Sequence, residues 1–274
     1  MSSIRPLTPA DEPLLLAVLR GDPHNNLFLI GNLLTLGMGE PDLEYWGCYS
    51  GDRLAGVLMR YRANWCLHDA GGADFAAMAA VLDDHPAGAR VITGEYGLVS
   101  RLWEHVRNYE AYEDHCSRLA VMEALVELPG VGPARRANED DVPGLVALYN
   151  EAGEMARDAA AVQRVLAHGR IFVSEEDGCI VAAALTNAET PELAMVGGVY
   201  TLPSRHNRGH ATACMSALCH ELLREGIQPC LFYDNPQAGS IYRRLGFREI
   251  GTWRLLRLRR TQSTRMDASK RESG

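Results

Sequence analysis

The chain of 274 residues carries an internal repeat, in which a segment near its start recurs 130 positions later. Residues 4–19 read IRPLTPADEPLLLAVL, and residues 134–149 read ARRANEDDVPGLVALY. Each segment places a capping residue, Thr8 or Asn138, three positions before an aspartate and an apolar run, which is typical of a helix start. Identical residues stand at positions 5/135, 11/141, 13/143, 15/145 and 17/147. The repeat predicts two copies of one structural unit, although similar helix starts also arise by chance.

Further pairs of segments extend this repeat. Residues 45–62 carry Gly51-Asp52 between two apolar runs, and residues 170–189 carry Asp177-Gly178 at the matching place. Such a dipeptide between apolar runs predicts a β-hairpin. The segments 89–106 and 229–246 each predict a short strand, a loop and a helix. Strands and helices therefore alternate in both halves, which predicts an α/β (α+β) fold of two similar domains.

The repeat also sets the predicted domain boundaries. Residues 1–127 form the first domain and residues 135–260 the second. They are joined by a linker at 128–134, because LPGVGPA is rich in glycine and proline. Residues 261–274 are polar and predict a disordered tail. Each domain is long enough to bury its own core.

Composition excludes several classes of function. The formal net charge of −8 argues against nucleic acid as a partner, which requires a dominant basic surface. No apolar run reaches the length of a membrane-spanning helix. Seven scattered cysteines without a C-x-x-C pair predict reduced thiols and a cytoplasmic location. Lys270 is the single lysine, which excludes a Schiff-base lysine and a Walker-type loop.

A basic loop in the second half is the best candidate site. An apolar strand ends near Thr201, and from Ala211 onward apolar residues recur at helical spacing. The start of a helix offers free N–H groups and a partial positive charge. Gly209 and Ala211 let an anion approach the backbone, and Arg208 adds a charge-assisted contact. The loop predicts a phosphate or diphosphate site, unless the two small residues serve only tight packing.

The loop does not match the best-known nucleotide motifs. Its spacing is neither G-x-x-x-x-G-K-[ST] nor G-x-G-x-x-G. The equivalent stretch of the first half, residues 64–82, has no arginine in its loop. We therefore expect the chemistry in the second half.

Four motifs of the second half follow one another along the chain. They are T-x-P (Thr201, Pro203), x-x-R-G-x-A (His206–Ala211), N-x-x-A-x-x-x-Y (Asn235, Ala238, Tyr242) and L-G-F (Leu245–Phe247). In their order and spacing this half resembles the acetyl-CoA-dependent N-acyltransferases known as the GNAT superfamily, over about residues 134–260. One departure is His206, at a position where the family usually has glutamine or arginine, with Arg205 one residue earlier.

The resemblance implies a fold and a reaction. Each domain is expected to hold a mixed, mostly antiparallel twisted sheet flanked by helices, with the first domain a degenerate GNAT-like copy that supports the substrate cleft. The reaction is attack of a primary amine, on a small molecule or a peptide, on the thioester of acetyl-CoA. A homodimer is compatible with the sequence. The resemblance assigns cofactor binding to Val199, Thr201, His206, Asn207, Arg208, Gly209, His210, Ala211, Thr212, Asn235 and Ala238.

The resemblance also suggests catalytic roles. The backbone N–H of Val199 is expected to donate to the thioester carbonyl. Tyr242 stands where the family places the acid that protonates the leaving thiolate, although it also fits a core aromatic residue. Glu192 is the candidate base, with Glu189 nearby; both also fit solvated turn residues, and a water-mediated base is an alternative.

Other interpretations stay open at this stage. His206, His210 and Cys214 have the spacing of a metal corner, but they lie in the phosphate loop without a fourth ligand, so no metal is expected. Residues 24–38 fit a core helix or a wall of the acceptor cleft. The main alternative function is a non-catalytic acyl-CoA-binding regulatory module, and another is aminoacyl transfer on the same tandem fold.

Overall fold

The computed structural model describes residues 2–129 and 132–261, which fall into two compact units. Unit 1 comprises residues 2–6, 44–115 and 254–261, and unit 2 comprises the described residues of 7–43 and 116–253. Of the predicted linker, residues 130 and 131 lie outside the described residues, as does the predicted tail beyond Thr261.

The secondary structure alternates between strands and helices along the chain, as predicted. The strands are β1 Ser2–Pro6, β2 Leu43–Ser50, β3 Arg53–Tyr61, β4 Asn64–Asp69, β5 Val91–Glu95, β6 Tyr109–Met122, β7 Arg135–Arg136, β8 Ile171–Glu176, β9 Cys179–Glu189, β10 Leu193–Thr201, β11 Gln228–Tyr233 and β12 Phe247–Arg260. The helices are α1 Glu12–Leu19, α2 Leu27–Leu36, α3 Phe75–Asp84, α4 Tyr96–Trp103, α5 Val142–Asn150, α6 Ala159–His168, α7 His210–Arg224 and α8 Pro236–Leu245.

The strand order repeats between the two units. In unit 1 the order is β1-β2-β3-β4-β5, and in unit 2 it is β7-β8-β9-β10-β11. In both, the last pair (β4 with β5, β10 with β11) is parallel, and the described pairs before it are antiparallel. The long strands β6 and β12 each give one half to each unit. Each unit thus holds a mixed, mostly antiparallel sheet, which confirms the predicted fold class.

Local signals of the repeat form the predicted structures. The backbone N–H of Thr8 donates to Asp11 over 2.8 Å, and that of Asn138 donates to Asp141 over the same distance. Asp177 has a φ of 54°, and the glycine after it has a φ of 75°. Two successive positive φ values give a tight hairpin turn whose twist matches its strands. The predicted helix starts at Thr8 and Asn138 and the predicted hairpin turn at Asp177-Gly178 are therefore confirmed.

The sheet of unit 2 has a different helix layer on each face. Successive strand residues point to opposite faces. Ala182 and Ala184 of β9 share a core with α7 and α8, whereas Ala183 and Leu185 share a core with α5 and α6. We call these the α7 face and the α5 face.

Helices from the first repeat contribute to unit 2. Leu27 and Phe28 of α2 pack on Leu193 and Met195 of β10 and on Cys230 of β11. Met195 lies between Ala194 and Val196, which point to the α7 face, so its own side chain points to the α5 face. Helix α2 therefore covers the same side of the sheet as α5. The compact units therefore differ from the repeat-based ranges 1–127 and 135–260, which stay a prediction about domains.

Among the described residues, no helix combines the length and apolarity needed to cross a membrane. All seven cysteines are free thiols, and five of them are buried. Burial raises the pKa of the Cys66 and Cys214 thiols to about 12, so both stay protonated at neutral pH. These two behave as small core residues, as the sequence predicts.

Candidate functional site

A gap opens between two parallel strands of unit 2. β10 and β11 pair from Leu193–Gln228 to Val196–Leu231, and β10 then continues to Thr201 with register shifts against β9. We call the gap beyond the Val196–Leu231 pair the wedge. Gly198 has a φ of 54° inside this irregular stretch, and the Tyr149 hydroxyl donates to its carbonyl over 2.6 Å. A side chain at Gly198 would meet Leu185 at 2.8 Å, so glycine is required there.

A cavity of about 860 Å³ lies against the end of β10 and the starts of α7 and α8. We call it the α7 cavity. It is lined by every residue that the sequence assigned to the site except Arg208 and Glu192. The lining residues among those predictions are Val199, Thr201, His206, Asn207, Gly209, His210, Ala211, Thr212, Asn235, Ala238 and Tyr242. Residues as far apart in sequence as Val199 and Tyr242 thus meet at one cavity.

The N-terminus of α7 lies at this cavity. Gly209 is the N-cap, with a φ of 87° and no side-chain cap. The first bond within the helix runs from the N–H of Ala213 to the carbonyl of Gly209 over 2.9 Å. The N–H groups of His210, Ala211 and Thr212 therefore have no acceptor within the helix. A Cβ at Gly209 would have no heavy atom within 4 Å, so the space beside it is open to an anion.

The equivalent helix of unit 1 is closed by carboxylates. Asp74 caps α3 by accepting from the N–H of Ala77 over 3.0 Å. Asp69 accepts from the N–H groups of Gly71 and Ala73 over 2.9 and 3.0 Å. Because protein carboxylates already occupy these amides, an added anion would meet like charges there. This difference explains why an anion site is expected at α7 and not at α3.

Basic side chains line the α7 cavity. Its described lining includes Arg205, Arg244, His206 and His210, and no aspartate or glutamate, although Glu176 lies behind the lining, 3.4 Å from Arg205 and 3.2 Å from His210. The whole chain carries a net charge of −8, so the basic lining is a local property of the cavity. The free helix N-terminus adds to it. The arrangement favours a ligand with several negative charges.

The comparisons with known proteins fit this geometry. Residues 142–247 match the model of the family described as acetyltransferase (GNAT) family. These residues include β10, α7 and α8, and hence most of the cavity.

This segment is a GNAT domain.

Solved structures support the fold over most of the chain. A tandem GNAT protein from the clavulanic acid biosynthesis pathway is 13% identical, with a TM-score of 0.57 over 95% of this chain and 98% of that one. A GCN5-related N-acetyltransferase from Kribbella flavida is 21% identical, with a TM-score of 0.57 over 74% and 86%. A GNAT-family acetyltransferase from Novosphingobium aromaticivorans is 19% identical, with a TM-score of 0.54 over 76% and 89%. Identities this low establish the fold alone. No curated protein sequence matches the chain.

Tyr242 projects from α8 of the GNAT domain into the α7 cavity. The side chain is 8% exposed, with its ring edge-on to Tyr233 and Phe247 at 5.5 and 5.9 Å. Within the described residues its hydroxyl has no hydrogen-bond partner. Burial, with a smaller effect of Cys219, raises the pKa of Tyr242 to about 12. The hydroxyl is thus protonated at neutral pH and available to a ligand.

Two other polar side chains of the cavity, Thr201 and Asn235, differ in which of their polar atoms a ligand could bond. Thr201 has a buried hydroxyl oxygen that no described residue bonds, and a ligand could satisfy it. Asn235 is the N-cap of α8, and its side-chain oxygen accepts from the N–H of Gln237 over 2.9 Å. Asn235 therefore positions α8, and its amide nitrogen stays available for a ligand.

Arg208 lies outside the lining of the cavity. Its guanidinium donates to Glu176 over 2.8 Å, and Glu176 also lies 3.4 Å from Arg205 and 3.2 Å from His210. The carboxylate of Glu176 thus holds three basic side chains of the loop. The predicted phosphate contact of Arg208 stays a prediction, because it competes with this ion pair.

Glu192 is separated from the α7 cavity. It precedes β10, seven residues before Val199, which is roughly 20 Å along a strand. Its side chain is 54% exposed and lies 3.5 Å from the guanidinium of Arg20. The structure does not bring this carboxylate together with Tyr242, and its role as a base stays a prediction.

The three side chains of the metal-corner interpretation have separate partners. His206 bonds to the carbonyl of Thr201 over 2.8 Å, and His210 bonds to the Ser174 hydroxyl over 2.9 Å. Cys214 is buried and directed to the carbonyl of Ala182 at 3.6 Å. Each side chain thus has a structural partner of its own.

Arg244 is a lining residue that sequence reasoning missed. The sequence feature that could have indicated it is the Arg243-Arg244 pair of α8, of which Arg244 faces the cavity. Arg243 instead lies 3.3 Å from Glu249. Helical spacing from Ala238 and Tyr242 does not by itself decide which of the two faces a ligand.

We expect Arg244→Ala to weaken acyl-CoA binding about threefold to tenfold, because it removes an exposed cation from an anion site. Calorimetry at low salt measures the effect, which should shrink at 1 M salt through screening. Arg243→Ala is the matched control and should bind normally. Equal losses in both variants would contradict a specific role for Arg244.

Proposed function

We propose that the chain is an N-acyltransferase that moves an acyl group, acetyl in the simplest case, from coenzyme A to a primary amine of a small molecule or peptide. The observation that carries the proposal is the α7 cavity inside a GNAT domain, with an uncapped helix N-terminus and no aspartate or glutamate in its described lining. The diphosphate of coenzyme A fits the amides of 210–212, and the unpartnered Thr201 hydroxyl supports a polar ligand beside them.

The residues of the cavity suggest how the reaction proceeds. The amine nitrogen forms a bond to the acyl carbon, the carbon–sulfur bond breaks, and the sulfur takes up a proton as the amine loses one. The N–H of Val199 stabilises charge on the carbonyl oxygen, and Tyr242 donates the proton to the leaving sulfur. Without a carboxylate in the described lining, water is our candidate for removing the amine proton.

The test is turnover, followed as free thiol released from acetyl-CoA in the presence of a panel of primary amines. We expect thiol release that depends on both the protein and an amine. A protein that binds no acyl-CoA by calorimetry would contradict the proposal. An aminoacylated donor used in place of acetyl-CoA would favour aminoacyl transfer instead.

A second candidate is a non-catalytic acyl-CoA-binding regulatory module. The observation in its favour is that no aspartate or glutamate belongs to the described lining of the cavity, so no carboxylate base stands there. This candidate predicts tight binding of acyl-CoA without thiol release. Turnover with any amine that is lost in Tyr242→Phe would exclude it.

We also propose a cytoplasmic location. The support is the burial of five free thiols, since reduced cysteines persist in a reducing compartment. Fractionation of the native host cells tests this.

A further inference from the structure

An arginine on the α5 face of the GNAT domain lacks an acidic partner among the described residues. Arg157 lies between α5 and α6, and its Nη2 donates to the side-chain oxygen of Asn187 over 3.0 Å. Its Nε is buried and has no hydrogen-bond partner among the described residues. Its guanidinium carbon lies 5.6 Å from the centre of the Tyr149 ring. The side chain is thus held on two sides, with donors left over.

Such an arrangement is unfavourable unless a ligand completes it. A buried N–H of a charged group without an acceptor carries a desolvation penalty. Arg170 of the same unit shows the satisfied alternative, because Glu189, Glu221 and Glu225 lie within 3.3 Å of its guanidinium. The guanidinium fork of Arg157 offers parallel N–H donors, which match the two oxygens of a carboxylate.

Arg157 lies beside the wedge, on the face opposite to the α7 cavity. Its partner Asn187 lies directly against Gly197, where an added Cβ would be 2.1 Å from the Asn187 amide nitrogen. Gly197 is the first residue of β10 after the last parallel pair. Tyr149, whose ring lies beside the Arg157 guanidinium, donates its hydroxyl to the carbonyl of Gly198, the residue after Gly197. Two contacts therefore connect the guanidinium to the strand stretch that opens between cofactor and acceptor sides.

We propose that Arg157 binds a carboxylate of the acceptor, so that the substrate is a primary amine that also carries a carboxylate, as amino acids do. The inference rests on the proposed function, since it assigns the second substrate of the same reaction. With coenzyme A on the α7 face, an amine reaches the thioester through the wedge from the α5 face. Arg157 there anchors the acceptor and orients its amine.

Matched acceptors and variants test this assignment. The acceptors are phenylalanine, phenylalaninamide and phenethylamine, together with β-alanine and γ-aminobutyrate to vary the spacing between amine and carboxylate. The wild-type protein should prefer at least one amino carboxylate over the acceptors without a carboxylate. In Arg157→Gln, the KM for that acceptor should rise about tenfold to one-hundredfold, with the KM for acetyl-CoA unchanged. Arg164→Gln, an exposed arginine of α6, is the control and should behave as wild type.

A second variant covers the case in which Arg157→Gln does not fold. Asn187→Asp places a carboxylate 3.0 Å from the Arg157 guanidinium and should raise the KM for the amino carboxylate in the same way, by occupying Arg157 from within. Calorimetry of the preferred acceptor on the protein saturated with coenzyme A gives a readout without turnover. Turnover that is indifferent to the carboxylate and to both variants would overturn the role of Arg157 and leave the acyltransferase intact. Absence of acyl-CoA binding would instead overturn the proposed function.

Discussion

Gly209→Glu is expected to lower the affinity for acetyl-CoA by about one-hundredfold or more. The substitution places a carboxylate at the N-cap of α7, where the diphosphate of coenzyme A is proposed to bind, so that like charges compete for the same amides. The fold should survive, because the added side chain meets no heavy atom within 4 Å at its Cβ and an acid at a helix N-terminus is favourable. Calorimetric titration measures the loss.

Gly226→Glu is the matched control at the other end of the same helix. Gly226 has a φ of 79°, against 87° for Gly209, and an added Cβ likewise meets nothing within 4 Å. Both variants therefore carry a similar left-handed backbone cost of about 1–2 kcal/mol. The control also places an acid at the unfavourable end of the helix dipole, so it is the harsher test of folding. Normal binding in Gly226→Glu with loss in Gly209→Glu would assign the effect to the site. Normal binding in a folded Gly209→Glu variant would contradict the assignment of the loop.

Tyr242→Phe is expected to lower kcat about one-hundredfold or more, with the affinity for acetyl-CoA nearly unchanged. Loss of a positioned general acid has an effect of this size. The hydroxyl has no hydrogen-bond partner among the described residues, so its removal leaves no buried group unpaired and stability should change little. Thiol release under saturating substrates measures kcat, and calorimetry measures binding.

Tyr233→Phe is the control for this prediction, since the two rings are neighbours and, in the described part of the chain, only the hydroxyl of Tyr242 lacks a partner. The Tyr233 hydroxyl is directed to Glu249, and its loss should leave kcat close to that of the wild type. An unchanged kcat in Tyr242→Phe would mean that the residue is a core aromatic only.

The raised pKa of Tyr242 predicts a pH dependence as well. With a pKa of about 12, the tyrosine stays a proton donor throughout the neutral and mildly alkaline range. Ionisation of Tyr242 should therefore not lower the wild-type kcat between pH 8 and 10. A decline of kcat in this range that is seen in the wild type and absent from Tyr242→Phe would contradict the burial that raises this pKa.

The sequence predicted the features that depend on short-range patterns. The hairpin turn at Asp177 follows from two residues that tolerate positive φ, and the starts of the repeated helices follow from Thr8 and Asn138 with their aspartates. The convergence of the 201–212 loop with α8 followed only from resemblance, because no local pattern relates Gly209 to Tyr242.

Features that depend on three-dimensional competition could not be predicted. The packing of α2 within unit 2 depends on which apolar face it meets, and LFLIGNLLTL has apolar residues around most of the helix, with Asn32 and Thr35 as its polar side chains. The direction of Arg208 is decided by Glu176, which lies 32 residues away in the sequence. Likewise, only the structure shows that Asp69 and Asp74 close the N-terminus of α3.

The closure of α3 gives a physical reason for the asymmetry of the repeat. Both copies place a helix after the fourth strand of the unit, but only α7 begins with an uncapped glycine. A small change of side chain at the loop thus separates an open helix N-terminus from a self-capped one.

The most direct test of the central claim is a crystal structure of the protein with coenzyme A. The account predicts diphosphate oxygens about 2.7–3.2 Å from the backbone nitrogens around residues 209–212 of the α7 cavity. A diphosphate bound at the start of α3, or anywhere else away from these amides, would contradict it.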